Sequence, residues 1–497
     1  MILNYQIVMN CIITGDESWI YAYDPETDNQ RANIVAKMTE NVISTSSLHG
    51  NTSSVLTLND CSSRTYLTAK KQLDDEYRPE HYRDQVNGQS SVGAFVHLLK
   101  GSLGFGILSM PMAFYNGGLL FSMVATLIVG LLCTHCVHIL VKTSQTICRD
   151  NKISALSYSE TTEKVFEGGP KCLRPWSVVA KRFVDGGLMA AHFAAACVYM
   201  VFIATSFHNV INYDTGQNWD VRIYIAFTVI PCLLIGQIRN LKWLLPFSAF
   251  ANIFIVITFG IVLYYLFSEP LVFADKPLIA RTEQIPLYFA TAIFAMEGIG
   301  SVMPIENAMQ KPQQFLGCPG VLNSAMILVV IFYSAIGFLG YARFGSEVRG
   351  SITLNLVDGT PLADTAKLLI AVASLFTYGL IFYVPIDTLW KNISHKINKK
   401  NHNIAQILIR TAIILISGVV ATVIPNLEPF ISLVGAIFLS ILGFLVPSVC
   451  ETVYLWPDRL GFWKWRLYKN LLLSTFALCA LVAGSVASIN EIIKIYQ

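Results

Sequence analysis

His97-Leu98-Leu99-Lys100-Gly101-Ser102-Leu103-Gly104-Phe105-Gly106-Ile107-Leu108-Ser109-Met110-Pro111 is apolar enough to enter a membrane and too poorly helical to cross it as one rod. The segment around it is long enough to span a hydrocarbon core of about 30 Å. Yet three glycines fall between residues 101 and 106, and a proline follows at 111. A glycine in a helix interior costs about 1 kcal/mol and a proline about 3. In lipid, an interrupted backbone leaves N–H and C=O groups with no water to bind. A break survives there only if it lines a cavity or is packed by protein.

The pattern recurs at Phe294-Ala295-Met296-Glu297-Gly298-Ile299-Gly300-Ser301-Val302-Met303-Pro304. A single Gly-x-Gly reads as close helix packing, which membrane helices favour. Two such groups, each followed by a proline and lying five spans apart, read as matched breaks of a five-plus-five inverted repeat. Paired breaks near the midplane supply half-helix N-termini for a carboxylate and free carbonyls for a cation.

The rest of the chain supports a polytopic all-α membrane protein. Of its 497 residues 54% are hydrophobic and 13% charged, against about 25% charged in soluble domains. Eleven apolar spans are expected at 93–115, 118–141, 183–211, 222–239, 244–267, 286–309, 320–343, 363–388, 405–425, 429–452 and 468–490. The first and sixth carry the breaks, and the eleventh stands outside the repeat. Residues 1–91, rich in Ser, Thr, Asn and Asp, are expected as a disordered cytoplasmic tail. Residues 92–490 form the transmembrane domain, and 491–497 a short C-terminal tail. Ile2–Ile13 lacks the charged flank and cleavage site of a signal peptide.

Lys and Arg placement sets orientation. Lys142, Arg149, Lys164, Lys171, Lys181 and Arg182 lie between spans 2 and 3. Arg239 and Lys242, then Lys391, Lys399 and Lys400, then Arg459, Lys464 and Lys469 fall on the same side. The opposite side holds fewer, among them Lys276, Arg281, Arg343 and Arg349. The N-terminus is therefore expected in the cytoplasm and the C-terminus outside it. The net charge of +3 gives no reason to expect nucleic acid. Cys133 and Cys136 have the spacing of a metal or redox pair, but they sit mid-span without a second pair and read as small buried hydrophobes.

The run His97–Pro111, His135-Cys136, Arg239-Asn240-Leu241, Thr291–Pro304 with Ile305-Glu306-Asn307, Gly350–Leu356, Phe382-Tyr383-Val384-Pro385 and Ile431–Gly435 together resemble the proton-coupled amino acid transporters of the amino acid/auxin permease superfamily. The resemblance covers roughly residues 92–490. It implies a LeuT-like fold of about eleven helices, a 5+5 inverted repeat plus one, and proton symport of small neutral amino acids such as glycine, alanine and proline. Two departures stand out. Relatives commonly join the loop after span 3 to the loop before span 8 by a disulfide, and here neither Asn212–Val221 nor Asp358–Asp364 holds a cysteine. Many relatives also carry Phe where Met296 stands, and Met is the more adaptable side chain.

Candidate residues follow. The substrate is expected at Ser102, Gly104, Phe105, Gly106, Phe294, Ala295, Met296, Glu297 and Gly298. Its carboxylate would meet N–H groups around Ser102, Gly104 and Gly106. Its amine would meet carbonyls near Phe294 and Ala295. A glycine-lined pocket leaves little room for a long side chain. Proton coupling is assigned to His97, Glu297 and His135, because histidine changes charge near neutral pH and an ionisable group within a span is a functional candidate by default. The resemblance implies the role of His97; an interfacial histidine bonded to a neighbouring helix is the bland alternative. Glu297 suits a structural or proton-linked role more than direct amine binding, and His192 in span 3 is the weakest histidine. Lys100 reads as snorkelling or packing at the interface. Glu306 and Asn307 suit capping or gating, with Lys311 as partner.

No metal, nucleotide or nucleophile constellation emerges, so an enzyme is not expected, nor any cofactor. The coupling ion is expected to be H+, with Na+ as the alternative. An amino-acid-sensing transceptor with a signalling partner at the tail is a further alternative, and a channel fits the matched breaks least. The partners are the substrate and the lipid bilayer, in the plasma membrane or the lysosomal/endosomal membrane.

Overall fold

Span 1 divides where its glycines fall. The computed structural model describes residues 79, 83, 88–102, 104–239, 241–273, 275–296, 298–317 and 319–497. The stretch 1–78 and Glu297 lie outside the described residues. The first span is three pieces: α1 (Ser91–Ser102), α2 (Phe105–Leu108) and α3 (Met110–Gly117). Gly104 separates α1 from α2 with φ −76° and ψ −142°, outside helical geometry. Pro111 lies in the first turn of α3, where its missing N–H costs nothing.

Gly118 turns the chain into α4 (Leu119–Asp150). Its φ is +87°, and a Cβ there would stand 2.7 Å from the Ala280 nitrogen, so both backbone angle and space demand glycine. The stretch before span 6 closes on this corner: the Leu119 N–H donates to the Pro277 carbonyl at 3.0 Å, and the Ala280 N–H to the Gly117 carbonyl at 2.9 Å. The short helix α5 (Tyr158–Gly168) follows, started by a reciprocal cap between Ser157 and Glu160. Next come α6 (Ser177–Thr215), stopped by left-handed Gly216, and α7 (Val221–Gly236), whose first turn Asp220 caps. The end of α7 is held by buried Arg410, whose Nη1 donates to the carbonyl of Gly236, its last residue, at 2.7 Å and to that of Ile238, just beyond it, at 3.1 Å.

After α8 (Leu241–Phe267), span 6 forms α9 (Ile285–Ala295) and α10 (Ile299–Asn307). Met296 caps α9, and Gly298, at φ −146° and ψ 1°, precedes α10. Then follow α11 (Gln313–Leu316), α12 (Val321–Phe344), α13 (Pro361–Ile393) and α14 (His402–Val423). Span 10 is α15 (Leu427–Val434), two π-helical turns at Gly435–Leu439 and Ile441–Leu445, and α16 (Val446–Leu455). The π turns begin where a Cβ on Gly435 would lie 2.1 Å from the Ala290 carbonyl oxygen, so span 10 rests directly on the α9 backbone. The chain ends in α17 (Trp465–Tyr496).

Among the described residues nine helices are long and apolar enough to cross a membrane, span 6 counted across its break. The shorter α7 and the divided α1–α3 account for the remaining apolar stretches. The architecture is all-helical, with its first and sixth spans broken. One isolated parallel bridge, Gln89 to Met309, is the β pairing among the described residues.

Candidate functional site

The two breaks meet. A methyl group on Gly106 would fall 2.7 Å from the Ala295 carbonyl oxygen and 2.8 Å from its Cα. Only a residue without a side chain lets span 1 approach the end of α9 so closely. Gly298, on the other side of the span 6 break, faces Ser102: a Cβ there would lie 3.7 Å from the Ser102 Oγ. Ser102, Ala295 and Met296 are all buried. Of the expected substrate residues, Ser102, Gly104, Gly106, Ala295, Met296 and Gly298 gather at this junction, with Phe294 in the last turn of α9 and Phe105 opening α2.

The chemistry of the junction follows from helix ends. The last carbonyls of a helix lack intrahelical donors and carry partial negative charge. α1 ends at Ser102 and α9 at Ala295, and both ends point to one hydroxyl. Tyr333, fully buried on α12, donates from Oη to the Ala295 carbonyl oxygen at 2.7 Å and also contacts the Ser102 carbonyl oxygen. A second tyrosine stands by: a Cβ on Gly104 would lie 3.9 Å from the Tyr199 hydroxyl of α6. The opposing half-helices α2 and α10 begin at Gly104 and Gly298 without a side-chain cap, which leaves first-turn N–H groups for an anion.

The three histidines stand at different distances from the break. His97 is exposed on α1, in the half of span 1 before the break. His135 is half-buried on α4, and its Nε2 is enclosed with no hydrogen-bond partner among the described residues. His192 on α6 reaches the break: a Cβ on Gly300 would lie 3.4 Å from its Cε1. Its Nδ1 is 2.7 Å from the Leu188 carbonyl oxygen. A carbonyl only accepts, so Nδ1 is the donor in this bond. Lys100, exposed near the end of α1, donates to the Ser248 Oγ of α8.

The junction is closed on the face where α1 begins, the tail face. Glu306, on α10, is 1% exposed, and its Oε1 accepts from Arg83 Nη1 at 3.2 Å and from Gln145 Nε2 at 2.8 Å. The cation at Glu306 is thus Arg83 and not the nearby Lys311. Arg83 Nε also donates to the Ser154 carbonyl at 2.8 Å. Gln89 continues the strap, its N–H donating to the Ala308 carbonyl at 2.7 Å and its carbonyl accepting from the Gln310 N–H at 2.9 Å. Asn307 Nδ2 donates to the Leu156 carbonyl at 2.8 Å. On the far face a cavity of about 270 Å³ descends between spans 1, 6 and 10 to Ser109 and Thr291, about one helical turn from the breaks. Asn116, Gln284, Glu428 and Glu491 line it. The site is therefore shut toward the tail face and approached from the other.

Sequence reasoning missed Tyr333, Tyr199 and Arg83. A tyrosine in an apolar span carries one signal, a hydroxyl that needs a partner when buried, and that signal does not say which partner.

Residues 87–492 match the family of transmembrane amino acid transporter proteins. Over 428 residues the chain is 38% identical to the proton-coupled amino acid transporter-like protein pathetic of Drosophila melanogaster, covering 85% of this chain and 89% of that one. Over 416 residues it is 26% identical to the probable amino acid transporter skat-1 of Caenorhabditis elegans, covering 81% and 90%. Among solved structures it is similar to MhsT in complex with L-phenylalanine, with TM-score 0.44, 17% identity, and 81% and 99% of the two chains covered. It is also similar to the inward facing conformation of Mhp1, with TM-score 0.48, 11% identity, and 83% and 91% covered.

Proposed function

The chain belongs to the family of transmembrane amino acid transporter proteins, and on that premise we propose that it moves small neutral amino acids of the glycine, alanine and proline class together with protons. The observation that carries the reading is the contact of the two breaks at Gly106 and Ala295. Carbonyl ends and free N–H groups of opposite polarity converge there, as an ammonium and a carboxylate on one carbon require. The close approach of the two backbones at Gly106 and Ala295 disfavours a long substrate side chain.

In this reading the carboxylate binds the N–H groups of the first turn after Gly104, and the ammonium binds the carbonyl ends of α1 and α9. Proton coupling belongs to His97, Glu297 and His135, with H+ as the coupling ion. The name of the Drosophila relative, a proton-coupled amino acid transporter-like protein, supports protons over sodium. The excess of Lys and Arg on the tail face supports a cytosolic position for it. The far-face cavity then opens to the acidic side, whether that side is the cell exterior or an organelle lumen. Alternating access requires the Arg83–Glu306 strap to part while the cavity over Ser109 and Thr291 closes.

Uptake of labelled glycine, alanine and proline by proteoliposomes, at acidic and neutral external pH and with or without sodium, tests this. Acid-stimulated, sodium-independent uptake supports the proposal. Sodium dependence with no response to acid would replace the coupling ion, and no uptake of any of the three would overturn the substrate class.

A further inference from the structure

The hairpin between spans 10 and 11 turns its largest side chains outward. Phe462 and Trp463 are each 82% exposed. Among the described residues each has its ring contact with the other, stacked at 5.9 Å between centroids. The backbone that presents them is strained: Trp463 and Lys464 take φ of +52° and +55°, a left-handed conformation that is costly for any residue with a Cβ. Neither ring gains burial within the chain in return. The hairpin lies at a membrane boundary, because α16 ends at Leu455 and α17 begins at Trp465. Tyr454 donates to Asp150 Oδ2 at 3.3 Å, at the end of α4, which sets the hairpin on the tail face. Basic residues are in excess there: Arg459, Lys464, Arg466 and Lys469 stand against Glu451 and Asp458. Lys469 is paired with Glu451 at 2.7 Å, whereas Arg459 and Lys464 are exposed. Lys464 Nζ lies 5.9 Å from the centre of the Trp456 ring, and Arg466 Cζ 5.8 Å from that of Trp465, so cations and rings share one surface.

We propose that this hairpin, residues 456–469, is a binding surface for an anionic lipid headgroup in the leaflet on the tail face. The occupant follows from place and charge. The bilayer already surrounds spans 10 and 11 at this level, and aromatic rings settle where its apolar edge meets water. Phe462 and Trp463 enter that interface, and their contact with lipid offsets the strain of the turn that carries them. Rings alone accept a zwitterionic lipid as readily as an acidic one. The cationic excess makes the choice: Arg459 and Lys464 attract the net negative charge of an acidic phospholipid. The surface is separate from the junction of the two breaks and does not depend on which substrate the chain carries.

The test is native mass spectrometry of the purified full-length chain with phosphatidylserine or phosphatidylcholine of the same acyl chains. A basic residue near a membrane surface is worth about fivefold in affinity for acidic lipid, so Arg459 and Lys464 together should favour phosphatidylserine about twenty-five-fold in the wild type. Arg459→Gln with Lys464→Gln should remove that preference and leave phosphatidylcholine binding unchanged. Phe462→Ser with Trp463→Ser should weaken both lipids, because the rings meet either one. No preference in the wild type, or a preference that survives the double Gln variant, overturns the proposal. So does an aromatic variant that binds both lipids as before. If that variant instead lowers the oligomeric state with lipid binding intact, the hairpin is an interface between copies of the chain and the lipid assignment is wrong. Where a variant is not recovered folded, thermal melting of the wild type decides. Phosphatidylserine should raise the melting temperature more than phosphatidylcholine at low salt, and the advantage should vanish at high salt. An advantage indifferent to salt refutes the electrostatic choice.

Discussion

Gly106 and Ala295 touch backbone to backbone: a side chain on the first would start 2.7 Å from the carbonyl oxygen of the second. The neighbour is main chain and cannot rotate aside. Gly106→Ala must push span 1 away from α9, at a cost of about 1–3 kcal/mol by comparison with other overpacked cores. Uptake should be lost or nearly lost. Gly186→Ala is the control, since a Cβ at Gly186 meets nothing within 4 Å. Uptake and apparent melting temperature of the two variants check the prediction, and equal behaviour would contradict it.

The strap on the tail face should bear much of that end's stability. Arg83→Ala leaves the Glu306 carboxylate, 1% exposed, with Gln145 as its remaining side-chain donor. Removing one partner of a buried pair costs about 3–5 kcal/mol, largely through the charge left behind. Adding Glu306→Gln to Arg83→Ala should therefore recover most of the loss in thermal melting. A double variant no better than the single would mean that Arg83 acts through its bond to Ser154 instead.

The cap of α5 has a pH signature. The Ser157 backbone N–H donates to the Glu160 carboxylate at 2.9 Å, and the Ser157 hydroxyl donates to it at 2.8 Å. The first of these bonds is the main cause that holds the Glu160 carboxyl below its ordinary range, against the opposing pull of burial. A depressed folded value stabilises the fold above the unfolded carboxylate pKa, and the gain is lost as pH falls through the folded value. Ser157→Ala should cost about 1 kcal/mol at neutral pH. The difference in melting temperature from wild type should narrow in acid, where Glu160 is protonated. A constant difference would remove the carboxylate from the effect.

The far-face cavity predicts where the site is reached. Glu428 lines it. Glu428→Cys, with the exposed Cys172 and Cys479 and also Cys11, Cys61 and Cys318 replaced by serine, should react with an impermeant thiol reagent in right-side-out vesicles and block uptake. Labelling confined to inside-out vesicles would reverse the proposed orientation.

The breaks themselves were legible because their signal is local. Gly101, Gly104, Gly106 and Pro111 weaken a helix wherever they occur, and Gly298, Gly300 and Pro304 repeat the message five spans later. What fills the junction was not legible, because it is set by distant contacts. Tyr333 reaches carbonyls 231 and 38 positions away. Arg83 reaches Glu306 across 223 residues from a stretch that reads as polar tail, while Lys311 looked the natural partner because it is near in sequence. His192 ranked below His135 for the same reason. Its place beside Gly300 depends on how α6 packs against α10, which no spacing along the chain reports.

The central claim is that a proton gradient drives small amino acids through this junction. Its most direct test is glycine accumulation in proteoliposomes holding the purified full-length chain, with sodium equal on both sides and the exterior made acidic. Accumulation above the external concentration that collapses when a protonophore is added is the predicted result. Glycine entry that only equilibrates, whatever the pH difference, would contradict it.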